Sequence, residues 1–222
     1  MLDFVLEQRT IGSKDWATVL FVFSFVLIAI TRGVFENRFV DFSRLLYSDK
    51  YIKIHRDSGN LMNWFTIALF VVQVISFAFF IQIMLSYFFP FVKKTDWVLY
   101  IQIITLLSIF ILSKYLIEKI IATSFNIEEF SEQFNLQKVS YRTYVGLCVL
   151  PLNVILFYNN TPIDFLIYFL IAAVLLINML TYFISLKIYQ NLILGKLFYF
   201  ILYLCALEIA PYYFMYYWFT KT

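Results

Sequence analysis

At 222 residues with 63% hydrophobic, 22% aromatic and 14% charged side chains, the chain carries too little charge for a soluble domain, in which about a quarter of residues are charged. A formal net charge of +3 gives no basic footprint for a nucleic-acid partner. Because a backbone in lipid must satisfy its own hydrogen bonds, the composition predicts one all-α integral membrane domain over residues 1–222, with the lipid bilayer as its first partner.

Six apolar runs of membrane-crossing length follow one another, at 16–31, 61–89, 97–113, 141–158, 163–186 and 197–218, so the architecture expected is polytopic with about six transmembrane helices. Asp3, Glu7 and Asp15 lie among Arg9 and Lys14 and no small-residue cleavage site follows the first run, which therefore reads as a retained helix rather than a leader. Between the first two runs, Phe35, Phe39, Phe42 and Leu46 recur at helical spacing opposite Arg38, Asp41 and Arg44, the pattern of a short helix lying along the membrane. The third run extends as one helix through Lys114 and Glu118 to about Ser124, with these two charges one turn apart on one face. A second amphipathic cytoplasmic helix is predicted after Asn126, where Ile127, Phe130 and Phe134 form a stripe beside Glu128, Glu132 and Gln133. Lys114, Glu118, Phe130 and Phe134 are the candidate cytoplasmic contact for a partner protein, against the plainer reading that they pack on their own bundle or anchor a helix end.

The loop after the first run holds Arg32, Arg38, Arg44, Lys50, Lys53 and Arg56. The loop after the third holds Lys114, Lys119, Lys138 and Arg142, and that after the fifth Lys187 and Lys196; the other side has only Arg9, Lys14, Lys93, Lys94 and Lys221. Positive charge is retained in the cytoplasm, so both termini are expected on the outer, periplasmic side of a bacterial inner membrane, where Trp16, Trp97 and Tyr158 would also gather. The glycines fall in loops or near the ends of the runs, so close glycine-mediated helix packing is not expected.

Within the membrane one carboxylate stands out. Glu208 lies about 18 Å along its helix from Lys196, near the midplane, where burial favours the neutral acid. It serves either as a hydrogen-bonded lock between helices or as a proton or ion site. Pro211 follows three residues later; Pro151 interrupts the fourth run, with Asn153 beside it and Gln73 of the second run at similar depth. Polar groups meeting at broken helices are one way to build a transport site, so Glu208, Asn153, Gln73, Pro151 and Pro211 form the candidate intramembrane site. His55 is the only histidine, which excludes a bis-histidine haem, a histidine-based zinc protease centre and a Ser-His-Asp triad. Neither a metal, a cofactor nor an enzyme activity is expected, and a lipid-handling role for Arg56 and His55 is the least supported class.

The stretches KYLIEKIIATSFNIEEFSEQFNLQKVSYRTYVG (114–146) and KLFYFILYLCALEIAPYYF (196–214), with the Arg-Thr-Ile and Asp-Trp pairs near the N-terminus and the DKYIK segment of the first loop, resemble a family of multi-pass inner-membrane proteins of Bacteroidota known only as a domain of unknown function. The resemblance implies a cytoplasmic-membrane location and supplies no activity or site. Two functions are therefore expected as alternatives: a non-catalytic subunit or accessory factor of a larger cell-envelope complex with membrane-protein partners, or a small proton-coupled transporter or channel using the midplane carboxylate.

Overall fold

The computed structural model describes residues 14–45, 63–124, 128–159, 164–177 and 179, and every regular element among them is an α-helix. In chain order these are α1 (Asp15–Val34), α2 (Glu36–Ser43), α3 (Trp64–Phe88), α4 (Trp97–Ser124), α5 (Glu128–Tyr158) and α6 (Asp164–Ile177). Four helices are long and apolar enough to cross a membrane, namely α1, α3, α4 and the Asn135–Tyr158 part of α5. Of the six runs expected, the sixth (197–218) lies outside the described residues, and the fifth is represented by the shorter α6.

Local chemistry suits each helix to lipid. In α1, Asp15 in the first turn and Arg32 in the last complement the helix dipole. The hydroxyls of Ser24 and Thr31 donate to carbonyls one turn back, Leu20 for the first and Leu27 and Ile28 for the second, so neither faces hydrocarbon with an idle donor. The helix stops at Phe35, whose φ of −122° and ψ of 48° turn the chain into α2. There the aromatic stripe read from the sequence packs inward: Phe42 is buried, with its ring 6.0 Å from Phe65 of α3 and 6.0 Å from Tyr144 of α5.

Burial ranks the helices. Of the apolar window of α3, 56% is buried, against 22% for α1 and 6% for α4, so α3 is the central post and α4 lies on the periphery with Leu106, Ile109 and Leu112 turned outward. α1 and α4 run antiparallel to α3, whereas α5 runs parallel to it. One end of the bundle is closed by an aromatic box in which Phe79 of α3 stacks on Phe21 of α1 at 4.2 Å and lies 4.5 Å from Tyr100 of α4 and 5.7 Å from Phe157 of α5. Trp16 joins it, 5.0 Å from Trp97, so the two tryptophans expected on one side of the membrane do meet. Beside the box, the Lys94 ammonium donates to the Asn159 carbonyl and to that of Leu156 at 3.4 Å, placing a cation on the C-terminal carbonyls of α5. Desolvation first, and nearby Lys14 second, hold Lys94 below the usual lysine range.

At the opposite end the sequence expectation needs correction. No separate amphipathic helix precedes the fourth span; residues 128–158 form one continuous helix of 31 residues, about 46 Å long. Phe130 and Phe134 belong to its first turns, and their side chains lie outside the described residues. Nothing between Asn135 and Ser140 breaks a helix, and Asn135, Gln137 and Ser140 there are buried rather than solvated. They pack along α4, itself 28 residues and about 42 Å long and ending at Ser124 as expected. Both helices exceed a hydrocarbon core of about 30 Å and so project beyond it.

Phe79 of α3 meets rings from each of the other three spanning helices, so truncating it leaves a cavity that no single neighbour can close. Phe79→Ala is expected to destabilise the bundle by about 3–5 kcal/mol, read as a lowered unfolding midpoint of the purified protein in mild detergent; an unchanged midpoint would remove the box from the stability account.

Candidate functional site

The buried polar side chains of α3 and α5 form a seam running up the membrane-spanning part of their contact. The two helices are parallel, and two pairs share one offset: Thr143 Oγ1 donates to Gln73 Oε1 at 2.8 Å and, one turn further on, Ser76 Oγ donates to the Gly146 carbonyl at 2.7 Å, both pairs 70 residues apart. Asn153 closes the seam from above, its Nδ2 donating to the Ser76 carbonyl at 2.8 Å. Gln73, Ser76, Thr143 and Asn153 are all buried.

Gly146 sets the depth of this contact. A methyl group built there would stand 3.0 Å from Gln73 Cγ and 3.1 Å from its Cα, closer than side chains ordinarily approach backbone. The expectation that no glycine mediates close packing is thus overturned: Gly146 lies inside α5, and the lack of a side chain is what lets the hydroxyl of Ser76 reach its carbonyl. Pro151 does not interrupt α5, which continues through it to Tyr158. The proline faces outward, and its missing N–H frees the Leu147 carbonyl one turn earlier.

Of the intramembrane candidates, Gln73 and Asn153 are therefore joined to one seam through Ser76 and the turn between them, Pro151 flanks it, and Glu208 and Pro211 lie outside the described residues. One seam atom stays unpartnered, Asn153 Oδ1, on a side chain with no exposed surface. Towards the aromatic box, Gln82 uses Nε2 to hold the Asp96 carbonyl at 2.8 Å, at the start of α4. Of the cytoplasmic candidates, Glu118 does not snorkel with Lys114. It is buried and pairs with Lys138 of α5 at 3.9 Å, a charge that only the long α5 brings alongside. Among the described residues no cluster of His, Cys, Asp or Glu is arranged to hold a metal, and Cys148 is a free thiol on the outer face of α5.

Sequence reasoning passed over Ser76, Thr143 and Gly146, each unremarkable within an apolar run. The available signal was their spacing: Gln73 and Ser76 in one run, Thr143 and Gly146 in another, polar or small residues three apart on a single helical face. Chemically the seam can lock two helices in register. It offers hydroxyls and amides and contains no carboxylate, ammonium or guanidinium.

The profile of the family described as Domain of unknown function (DUF4271) matches residues 17–219. No curated protein and no solved structure matches the chain.

The seam predicts measurable coupling. In a double-mutant cycle of Gln73→Leu and Thr143→Val the interaction energy should be about 0.6 kcal/mol and no more than about 1.7, the range of hydrogen bonds between membrane helices; additive effects would show that the pair contributes nothing. Gly146→Ala should be more damaging than either single change, because its methyl meets backbone.

Proposed function

The chain belongs to the DUF4271 family, and because that description carries no activity, we propose a function from the bundle itself: a non-catalytic inner-membrane subunit or accessory factor of a larger cell-envelope complex, serving secretion or biogenesis. The observation that carries the reading is the condition of the interior. Gln73, Ser76, Thr143 and Asn153, buried at the contact of α3 and α5, bond to one another or to backbone across it, and the seam they form contains no carboxylate, ammonium or guanidinium; the charges of these spans, Glu118 and Lys138 among them, lie on other stretches of the helices. Such an interior holds shape rather than turning over a substrate. The periphery is correspondingly large, since α4 offers an almost unburied apolar face along its whole span, and α4 and α5 carry a shared projection beyond the lipid, pinned by Glu118 and Lys138.

In this reading the bundle has six crossings, with α6 leading into the fifth and the run at 197–218 making the last. The end bearing Arg32, Arg38, Arg44, Lys114, Lys119, Lys138 and Arg142 faces the cytoplasm and the aromatic box faces the periplasm, as the distribution of positive charge favours. The membrane is the inner membrane of a Bacteroidota cell. The projecting ends of α4 and α5 are the contact for a cytoplasmic or membrane partner.

A second reading, proton-coupled transport, draws support from the buried, unpartnered Asn153 Oδ1 beside Pro151. It makes Glu208 the titrating group, so Glu208→Gln should abolish discharge of a pH gradient from proteoliposomes holding the purified chain while leaving its expression and folding intact. Discharge undiminished in that variant, or absent from the parent, would end this reading.

For the subunit reading, the tagged chain extracted in mild detergent is expected to leave size exclusion with stoichiometric partners, and a photocrosslinker replacing Ile109 on the outer face of α4 should yield a discrete protein adduct. A lone monomer with lipid adducts alone would overturn it.

A further inference from the structure

We propose that the corner between α1 and α2 binds the phosphoethanolamine headgroup of a membrane phospholipid, with the phosphate on Arg32, the primary ammonium on Glu36 and an acyl chain along α1. The corner holds an open groove of about 470 Å³ lined by Phe25, Ile28, Ala29, Arg32, Gly33 and Glu36, within the range of about 300–1,000 Å³ typical of small-molecule sites. The first five of these positions recur at helical spacing along α1, so they form one stripe: Phe25, Ile28 and Ala29 lie toward the bilayer interior, Phe25 about 10 Å of helix below Arg32, while Arg32 and, across the break at Phe35, Glu36 stand at the mouth. The arrangement is graded as a lipid is, with tail inward and charge at the rim.

Three observations point to that occupant. First, Arg32 ends the membrane-length run of α1, the depth at which headgroup phosphates lie. Second, the two charges are open to a ligand: both are exposed, and among the described residues neither side chain has a hydrogen-bond or ion-pair partner, although they are four residues apart. The break at Phe35 is why, because Glu36 begins a new helix and no longer continues the face of α1. Third, the site has an opposite charge on each wall and no net charge, which matches a zwitterion. An anionic headgroup would meet Arg32 but be repelled by Glu36. A choline headgroup would satisfy Arg32 but has no N–H to donate to the carboxylate. The floor is open at Gly33, where an added methyl would meet nothing within 4 Å. A bulky side chain there should fill the groove without disturbing the bundle.

The test is native mass spectrometry of the full chain in detergent, titrated separately with phosphatidylethanolamine, phosphatidylglycerol and phosphatidylcholine of the same acyl chains, with apparent affinities compared. Phosphatidylethanolamine should bind one per chain and about tenfold more tightly than the other two, about 1.4 kcal/mol. Arg32→Ala should weaken all three, Glu36→Gln should erase only the preference for phosphatidylethanolamine, and Gly33→Phe should abolish the bound lipid while both charges persist. An unchanged unfolding midpoint in these three exposed-site variants would establish that they fold. Equal affinity for the three lipids, tighter binding of phosphatidylglycerol, or indifference to Arg32→Ala and Gly33→Phe would each overturn the assignment.

Discussion

The close approach of α3 and α5 at Gly146 is the contact from which the rest of the described bundle follows. In lipid there is little hydrophobic drive to bring helices together, so packing and interhelical hydrogen bonds must do it. A side chain at position 146 would crowd Gln73, whose backbone would have to move away by a few tenths of an ångström, and so would strain the hydrogen bond from the Ser76 hydroxyl to the Gly146 carbonyl. With the helices at contact distance, the shared offset of the two polar pairs sets their register, and Asn153, about two turns beyond Gly146, ties α5 to the Ser76 carbonyl as well. A slip of one residue would turn both hydroxyls toward apolar surface, where each unpaired polar group costs several kcal/mol. Register is thus specified by polarity and distance by the missing side chain.

Around this pair the two ends of the bundle are held by different chemistry. At one end, rings from α1, α3, α4 and α5 converge on Phe79, and the Lys94 ammonium caps the final carbonyls of α5. At the other, α4 and α5 continue past the thickness of the hydrocarbon and face each other with polar residues, among them the buried Glu118 and the largely covered Lys138. A buried ion pair adds little net stability relative to apolar packing, but losing one partner strands the other's charge, so the pair specifies how the projecting helices align. An apolar contact there would tolerate sliding; opposite charges on facing helices do not.

Much of this was legible from the residues. The starts and ends of α1, α3 and α4 came within a few residues of their expected places because hydropathy, loop charge and interfacial tryptophans report directly on the bilayer. Extension of the third run to Ser124 was readable too, since Lys114 and Glu118 do not break a helix. The short helix after Arg32 was visible as a phenylalanine stripe, though the stripe alone did not say that Phe42 would find Phe65 and Tyr144 rather than lipid. The least legible element was α5. Its N-terminal half is polar, and polar residues beyond an apolar run ordinarily mean a loop; here Asn135, Gln137 and Ser140 are buried, and α4, nearly as long, runs alongside. Similarly, Glu118 was read with Lys114 because both share one helix, while its ion pair is made with a residue distant in sequence.

By itself the sequence determined that this chain is helical, that it holds runs long and apolar enough to cross a membrane, and where positive charge is concentrated between them, because each of these is a property of single segments and needs no knowledge of neighbours. Tertiary structure decided which helix is central, which polar side chains meet and which glycine matters. Those outcomes depend on pairing between segments about 70 residues apart, where a serine, a threonine and a glycine too ordinary to stand out in any single run acquire their roles only when two parallel helices set them at the same height.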